Sequence, residues 1–212
     1  MAFPNIAIID FGAGNLHSVR KAIVSQLPEG ATVSVVTDAA ALAQATHIVL
    51  PGVGAFADCM RGLEALPGMR AALETAVLTR GKPFLGICVG MQMLFERGHE
   101  HGVHEGLGWF KGEVREIAPS DPNLRIPHMG WNKLKLKHKE HPVLRGVADG
   151  DFAYFVHSYA ATGCNPKEVL ATVDYGGEIV ALIGRDNLVA TQFHPEKSQA
   201  TGLQMIRNFL NR

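Results

Sequence analysis

At 212 residues, 47% of them apolar, the chain has enough length to bury one sizeable core and the composition of a globular protein. Its 20 basic and 20 acidic side chains cancel, which removes any global electrostatic case for nucleic acid or an anionic membrane, and no apolar run is long enough to span a bilayer. Three cysteines, Cys59, Cys88 and Cys164, form neither an even disulfide set nor a zinc-like spacing, so no disulfide framework or metal is expected and the setting predicted is reducing and cytoplasmic.

The stretch from Met1 to Asp10 carries no basic segment and no cleavage pattern, so no signal peptide is expected. Asn5 to Asp10 reads as an apolar strand, Phe11 to Asn15 as a glycine-bearing loop and Leu16 to Leu27 as a helix. Asp10-Phe11-Gly12 copies the kinase magnesium triplet, but the rest of that signature set is missing. Gly12-Ala13-Gly14 begins a dinucleotide fingerprint, but His17 stands at its third glycine. The loop is therefore a strand-end loop near a site and not a nucleotide cradle. Thr32 to Val36 is a second strand, and Asp38 is placed to cap a short helix through Gln44. His47 to Leu50 is a third strand, ending at Pro51-Gly52-Val53-Gly54, and helical patterns cover Phe56 to Leu66 and Met69 to Thr79. Strands alternating with helices at this spacing predict a parallel sheet, whose ligands bind at the carboxyl ends of strands.

The fourth strand leads into the most informative turn. Phe84 to Ile87 is an apolar run, and Met91 to Phe95 begins an apolar helical pattern. Between them Gly86-Ile87-Cys88-Val89-Gly90 is the cysteine form of a nucleophile elbow. Such a turn brings the residues two before and two after the nucleophile together, which requires glycine at both. It also leaves Cys88 at a helix N-terminus, where partial positive charge favours the thiolate. A lone cysteine in an apolar run is ordinarily inert core, so the assignment depends on what lies downstream.

After the elbow, His99, His101 and His104 match no strong zinc template and read as a solvated loop. Short strands follow at Trp109 to Ile117, Asn132 to Leu136, Phe152 to Ala160, Val169 to Asp174, Ile179 to Arg185 and Leu188 to Phe193. They predict antiparallel additions to the sheet and a small side sheet. Lys133 to Lys139 alternates lysine with leucine, the pattern of a half-exposed strand. The last strand runs into His194-Pro195-Glu196-Lys197-Ser198. Two residues apart in extended chain, His194 and Glu196 share a side, so the carboxylate can fix the imidazole tautomer and leave the other ring nitrogen for a thiol. Cys88, His194 and Glu196 make a nucleophile, base and orienter set. Ser198 is placed to cap a final helix, Gln199 to Leu210. No repeat or linker divides residues 1–212, which are read as a single domain.

A triad in this order on this pattern resembles the class I (triad) glutamine amidotransferases, and within them the glutaminase subunits of imidazole glycerol phosphate synthase. The resemblance covers nearly the whole chain, through Asp10 to Leu16, Pro51 to Phe56, Gly86 to Gln92, Pro127 to Asn132, Phe155 to Tyr159 and Gln192 to Ser198. It implies a three-layer α/β/α, flavodoxin-like fold with a mostly parallel central sheet. It implies hydrolysis of L-glutamine with no cofactor: Cys88 attacks the side-chain amide, His194 moves the proton, Glu196 orients His194, and the Gly52–Val53 backbone with the Val89 N–H faces the oxyanion. Gln92 and the Ser158–Tyr159 backbone hold the amino-acid end of the substrate. Gly98-His99-Glu100 stands where the family often has a Ser-Glu-Glu-like stretch, which leaves Glu100 for the substrate ammonium. The implied partner is a (β/α)8-barrel cyclase in a heterodimer, with Asn15, Met129, Trp131, Asn132 and Lys197 at the docking face. Two alternatives are a glutaminase serving another synthase, such as the pyridoxal phosphate, anthranilate or guanylate systems, and a non-catalytic or redox-sensing protein on the same elbow, which has no need of His194-Pro195-Glu196.

Overall fold

The computed structural model describes residues 3–212; residues 1 and 2, at the start of the segment read for a leader, lie outside the described residues. The first half alternates as predicted: β1 (Asn5–Ile9), α1 (Leu16–Val24), β2 (Thr32–Val36), α2 (Ala41–Gln44), β3 (His47–Gly52), α3 (Phe56–Ala65), α4 (Met69–Glu74), β4 (Phe84–Cys88) and α5 (Val89–Gln92). The second half supplies β5 (Arg97–Gly98), β6 (His104–Glu105), β7 (Glu113–Glu116), β8 (His128–Lys133), β9 (Lys135–Leu136), β10 (Phe152–His157), β11 (Tyr159–Thr162), β12 (Val169–Asp174), β13 (Glu178–Arg185), β14 (Leu188–Thr191) and α6 (Gln199–Leu210). No helix among the described residues is long and apolar enough to cross a membrane.

The main sheet has the order β2-β1-β3-β4-β14-β13-β12-β9. Its first five strands are parallel: helical crossovers join β1 to β4, and β14 returns beside β4 after the second half of the chain. The other three are antiparallel, joined in part by short turns such as Arg185-Asp186-Asn187. Strands β3, β4 and β14 are buried at every position, which is why they read as unbroken apolar runs and not as alternation. Helix α1 touches α6, while α3 touches α4 and α5, and α2 touches α4. These two helical groups with the sheet between them form the α/β/α arrangement.

Five expectations shift. The helical pattern read from Met91 to Phe95 ends at Gln92, and the chain turns into a loop from Met93. The strand expected over Trp109 to Ile117 forms only as β7: Trp109 and Phe110 are buried by a loop that packs Trp109 edge-on to Phe84 and Phe110 under the Arg185 guanidinium. The run from Phe152 to Ala160 breaks at Ser158. Before it, β10 pairs with β8; after it, β11 pairs with β7, so one strand-like run serves two side sheets. The Asn132 to Leu136 segment is likewise divided between β8 and β9. Helix α4 ends at Glu74 and continues as a π-turn over Thr75–Thr79, where Asn187 Nδ2 donates to the carbonyls of Val77 and Lys82.

The elbow packs backbone directly against backbone. Cys88 adopts φ 55°, a left-handed conformation that strains a non-glycine residue. A Cβ on Gly86 would lie 2.9 Å from the Gly90 carbonyl oxygen, and one on Gly52 would lie 2.7 Å from the Gly90 nitrogen. At Gly90 the added atom would overlap the Leu50 carbonyl oxygen. Glycine is thus required on both sides of the cysteine and on the neighbouring strand. Gly90→Ala is expected to destabilise the fold by about 3 kcal/mol or more, because the obstacle is backbone of a buried strand and cannot turn aside. Urea unfolding of the variant checks this, and an unchanged midpoint would sink it.

Candidate active site

The strand register brings the candidate groups together. Gly52 of β3 pairs with Cys88 of β4, and on the other side of β4 Thr191 of β14 pairs with Ile87. His194, three residues past Thr191, therefore arrives beside the elbow. Cys88, Val89, Gln92, Val53, Glu100, Ser158, Tyr159 and His194 all line one cavity of about 460 Å³. Gly52 lies at the end of β3 beneath it, and Glu196 stands behind His194 with its side chain fully buried.

His194 Nδ1 is 2.8 Å from Glu196 Oε1. An ionised carboxylate only accepts, so Nδ1 carries the proton and Nε2 is left toward the cavity. Nε2 is buried and completes no hydrogen bond in the protein, as does Glu196 Oε2. Burial draws the His194 pKa down, but the Cys88 sulfur and the Glu196 carboxylate outweigh it and push it up to about 9. A second thiol is close by. Burial, the Cys88 charge and neighbouring carboxylates push Cys59 up to about 12, and its Sγ donates to the Val53 carbonyl at 3.4 Å. Cys59 is thus a donor beneath the Pro51 to Gly54 loop and not a rival nucleophile.

The oxyanion candidates are backbone groups. Val89 is the first residue of α5, so its N–H has no acceptor within that turn. Val53 is exposed at the cavity edge. Both hydrogens of Gln92 Nε2 are committed, to the Tyr159 carbonyl at 2.9 Å and to Gln192 Oε1 at 3.1 Å. What Gln92 offers the cavity is its amide oxygen. The Ser158 carbonyl accepts from Ile117 N–H and the Tyr159 carbonyl from Gln92, so neither carbonyl is idle. Glu100 Oε2 accepts from Phe56 N–H at the start of α3 at 2.8 Å, leaving Oε1 for the cavity.

The docking candidates lie apart from the cavity. On β8, odd positions face out: Met129 is 62% exposed and Trp131 46%. Trp131 meets Tyr154 edge-on at 5.8 Å, and Lys197 Nζ lies 5.9 Å from the same ring. Asn15 precedes α1, which touches the Pro195–Lys197 turn. Asn132 departs from the expected set: it has the opposite parity to Trp131, and its side chain bonds inward to His128 and the Asp174 carbonyl. Ser198 also departs. It stands at the N-cap of α6, but its hydroxyl donates to the His194 carbonyl at 2.7 Å and accepts from Tyr154 N–H at 2.9 Å. The His194 N–H returns to the Tyr154 carbonyl at 3.0 Å, closing a ring that fixes the imidazole's backbone to β10.

Three buried polar residues escaped sequence reasoning. Gln192 Nε2 lies 3.9 Å from Cys88 Sγ, and His157, which lines the cavity, meets His128 at 3.0 Å. Gln192 could have been found, since it lies two residues before His194 and shares its side. In the histidine-rich loop, His99 Nε2 meets Glu113 Oε2 at 2.9 Å, and Arg115 and then His99 hold the Glu113 carboxyl below its usual range. No group of three or more His, Cys, Asp or Glu among the described residues is arranged to hold a metal.

The family model for class-I glutamine amidotransferases matches residues 7–212, so the chain belongs to that family. A subunit of PurLQS from Thermotoga maritima superposes with a TM-score of 0.73 at 19% identity, covering 99% of this chain and 98% of that one, a likeness of fold. The imidazole glycerol phosphate synthase subunit HisH of Brucella suis is 54% identical over 211 residues, with 97% of each chain covered. The HisH of Rhodospirillum rubrum is 52% identical over 208 residues, again with 97% of each covered. Within the amidotransferases, the chain belongs to the HisH subunits of imidazole glycerol phosphate synthase.

The buried imidazoles predict a pH dependence of stability. Burial pushes His128 and His157 down to about 4, against an ordinary 6.5. Below pH 6.5 the unfolded chain takes up protons that the folded chain refuses, so stability falls toward pH 4, by on the order of 2 kcal/mol per imidazole by pH 5. His194, raised, acts in the opposite sense: its contribution is full below pH 6.5 and is lost as pH rises through about 9. Urea midpoints across pH 5 to 9.5 should therefore peak near neutrality, and a flat profile between pH 7 and 5 would contradict it.

Proposed function

We propose that the single domain of residues 1–212 hydrolyses glutamine and delivers the ammonia to a cyclase subunit, a (β/α)8 barrel, in a cytoplasmic heterodimer of imidazole glycerol phosphate synthase. The observation that carries the reading is the His194–Glu196 pair, joined at 2.8 Å, with its second ring nitrogen left beside Cys88 in a cavity of amino-acid size. Identity above 50% to HisH proteins, whose name makes them synthase subunits, supports the partner.

In this reading His194 Nε2 takes the Cys88 proton, and the thiolate attacks the side-chain amide carbon of glutamine. The oxyanion forms against the N–H groups of Val89 and Val53, on the Gly52–Val53 backbone. His194 gives its proton to the departing nitrogen, the C–N bond breaks, and ammonia leaves a glutamyl thioester. Water, losing its proton to His194, then attacks the thioester; glutamate leaves and the proton returns to Cys88. Glu196 stabilises the imidazolium throughout. The Gln92 oxygen and Glu100 Oε1 meet the substrate ammonium, with the Ser158–Tyr159 backbone at its amino-acid end. The products of the assembled synthase would be imidazole glycerol phosphate and an aminoimidazole carboxamide ribotide. Asn15, Met129, Trp131, Asn132 and Lys197 are assigned to the docking face, Asn132 through the strand that it braces.

The test is glutamate release by the purified chain alone, with the cyclase, and with the cyclase plus its nucleotide substrate, using Cys88→Ala as the blank. Stimulation in the last mixture, absent in the blank, is expected. Activity indifferent to the cyclase would move the chain to another synthase, and a folded chain silent in every mixture would overturn the glutaminase reading. Glu196→Gln is expected to lower kcat by about 10²- to 10⁴-fold, since a neutral amide neither fixes the Nδ1–H tautomer nor stabilises the imidazolium. A loss confined to KM would contradict the role given to Glu196.

A further inference from the structure

From the exposed edge of β8 to the Tyr159 wall of the cavity runs a line of hydrogen bonds, buried where His128 meets His157, whose direction is set from both ends. At one end, Lys133 N–H donates to Asn132 Oδ1 at 2.8 Å, and Asn132 Nδ2 donates to the Asp174 carbonyl at 2.9 Å. These two backbone groups fix which way the amide faces, so its 3.2 Å contact with His128 Nε2 is a donation to that nitrogen. At the other end, the Tyr159 carbonyl can only accept, so His157 Nδ1, at 2.9 Å, carries a proton. Between them His128 Nδ1 and His157 Nε2 are 3.0 Å apart. A neutral imidazole has one N–H and one lone pair. One arrangement alone satisfies every contact: both rings are Nδ1–H tautomers, and every bond donates toward the cavity. Burial keeps both rings neutral, and His128 is clamped between Phe155 at 4.8 Å and Tyr175 at 4.0 Å.

The line ends on the acceptor that also receives Gln92 Nε2. We propose that His157, fixed in its Nδ1–H tautomer by His128, is a positioning residue for glutamine binding: it holds the Tyr159 carbonyl in place, and that carbonyl turns the Gln92 amide oxygen toward the substrate. This rests on the reading that the cavity takes glutamine. The effect falls on the pocket wall in ground and transition states alike, so it is read in KM and not in kcat. His128 acts one step further back, and Asn132 places the start of the line on β8, the strand whose other face carries Met129 and Trp131.

Two substitutions separate the two ring nitrogens. His157→Asn places an amide N–H near the Nδ1 position and keeps the Tyr159 bond. His157→Gln places its amide oxygen near Nε2, keeping the His128 bond and losing Tyr159. In glutamate-release assays of the chain saturated with cyclase and its nucleotide substrate, His157→Gln is expected to raise the glutamine KM roughly tenfold, and His157→Asn by less than about threefold, with kcat within about threefold for both. Equal KM values in the two variants, or the reverse order, would overturn the proposal. The second readout is a long-range 1H–15N spectrum of the wild-type chain at pH 7, which should show Nδ1–H and bare Nε2 in both His128 and His157. An Nε2–H form in either overturns the proposal even if the variants fail to fold. Wild-type turnover in the same assay separates the two ideas: if glutamine is not hydrolysed, the functional reading fails, while the spectra still decide the tautomers.

Discussion

The contact on which the site depends is between backbones: Gly90 packed against the Leu50 carbonyl, with Gly52 and Gly86 closing around it. No side chain fits between β3 and the turn after β4. That approach allows the chain to reverse within one residue, at the positive φ of Cys88, and hold the sulfur at the end of the strand. The strain at one cysteine is maintained because buried strands fix the chain on both sides of it. Register then does the rest. Pro51 and Thr191 flank Ile87 on the two neighbouring strands, so the loop with the oxyanion candidates and the segment with His194 end at the same level as the sulfur.

The base is held by different means. His194 lies past the end of β14, where ladder hydrogen bonds stop. The ring of Tyr154 and Ser198 bonds replaces them and ties its backbone to β10. From the other side α6 presses on the same turn: Gly202 sits against the Pro195 carbonyl, where any Cβ would overlap it. Glu196 is thereby delivered to His194 without exposure to water. His194 Nε2 and Glu196 Oε2 complete no hydrogen bond within the protein, and the surrounding backbone bonds hold both residues in place.

What the sequence revealed follows from distance along the chain. The elbow spans five residues and the His194–Glu196 pair three, so their geometry is local and their spacing reads directly as chemistry. The parallel half of the sheet was legible because its strands are buried on both faces and its crossovers are helical. The rest depended on contacts between distant segments. No glycine or proline near Ser158 marks the change from β8 to β7 as partner, and strand-forming residues stand on both sides of it. Ser198 looks like a helix cap because a hydroxyl before a helix usually is one; its use as a bridge to Tyr154 depends on a strand 44 residues away. The His128–His157 contact spans 29 residues, and each histidine alone reads as ordinary core.

Strand β10 is where these arrangements meet. Its backbone holds His194 and Ser198, the Tyr154 ring packs between Trp131 and Lys197, and its last residue, His157, reaches the Tyr159 carbonyl. It pairs along its whole length with β8, whose outward residues Met129 and Trp131 are the large apolar groups exposed on that strand. Pressure on that face is therefore borne by the strand that positions the base, and not by a flexible loop between them. The inner face of the ribbon packs Ala153 and Phe155 into the core, and β10 touches α6 and the Pro195–Lys197 turn. Tyr154 thus carries a ring that meets Trp131 and Lys197 and a backbone carbonyl that accepts from the His194 N–H, so one residue touches both the outward face and the base.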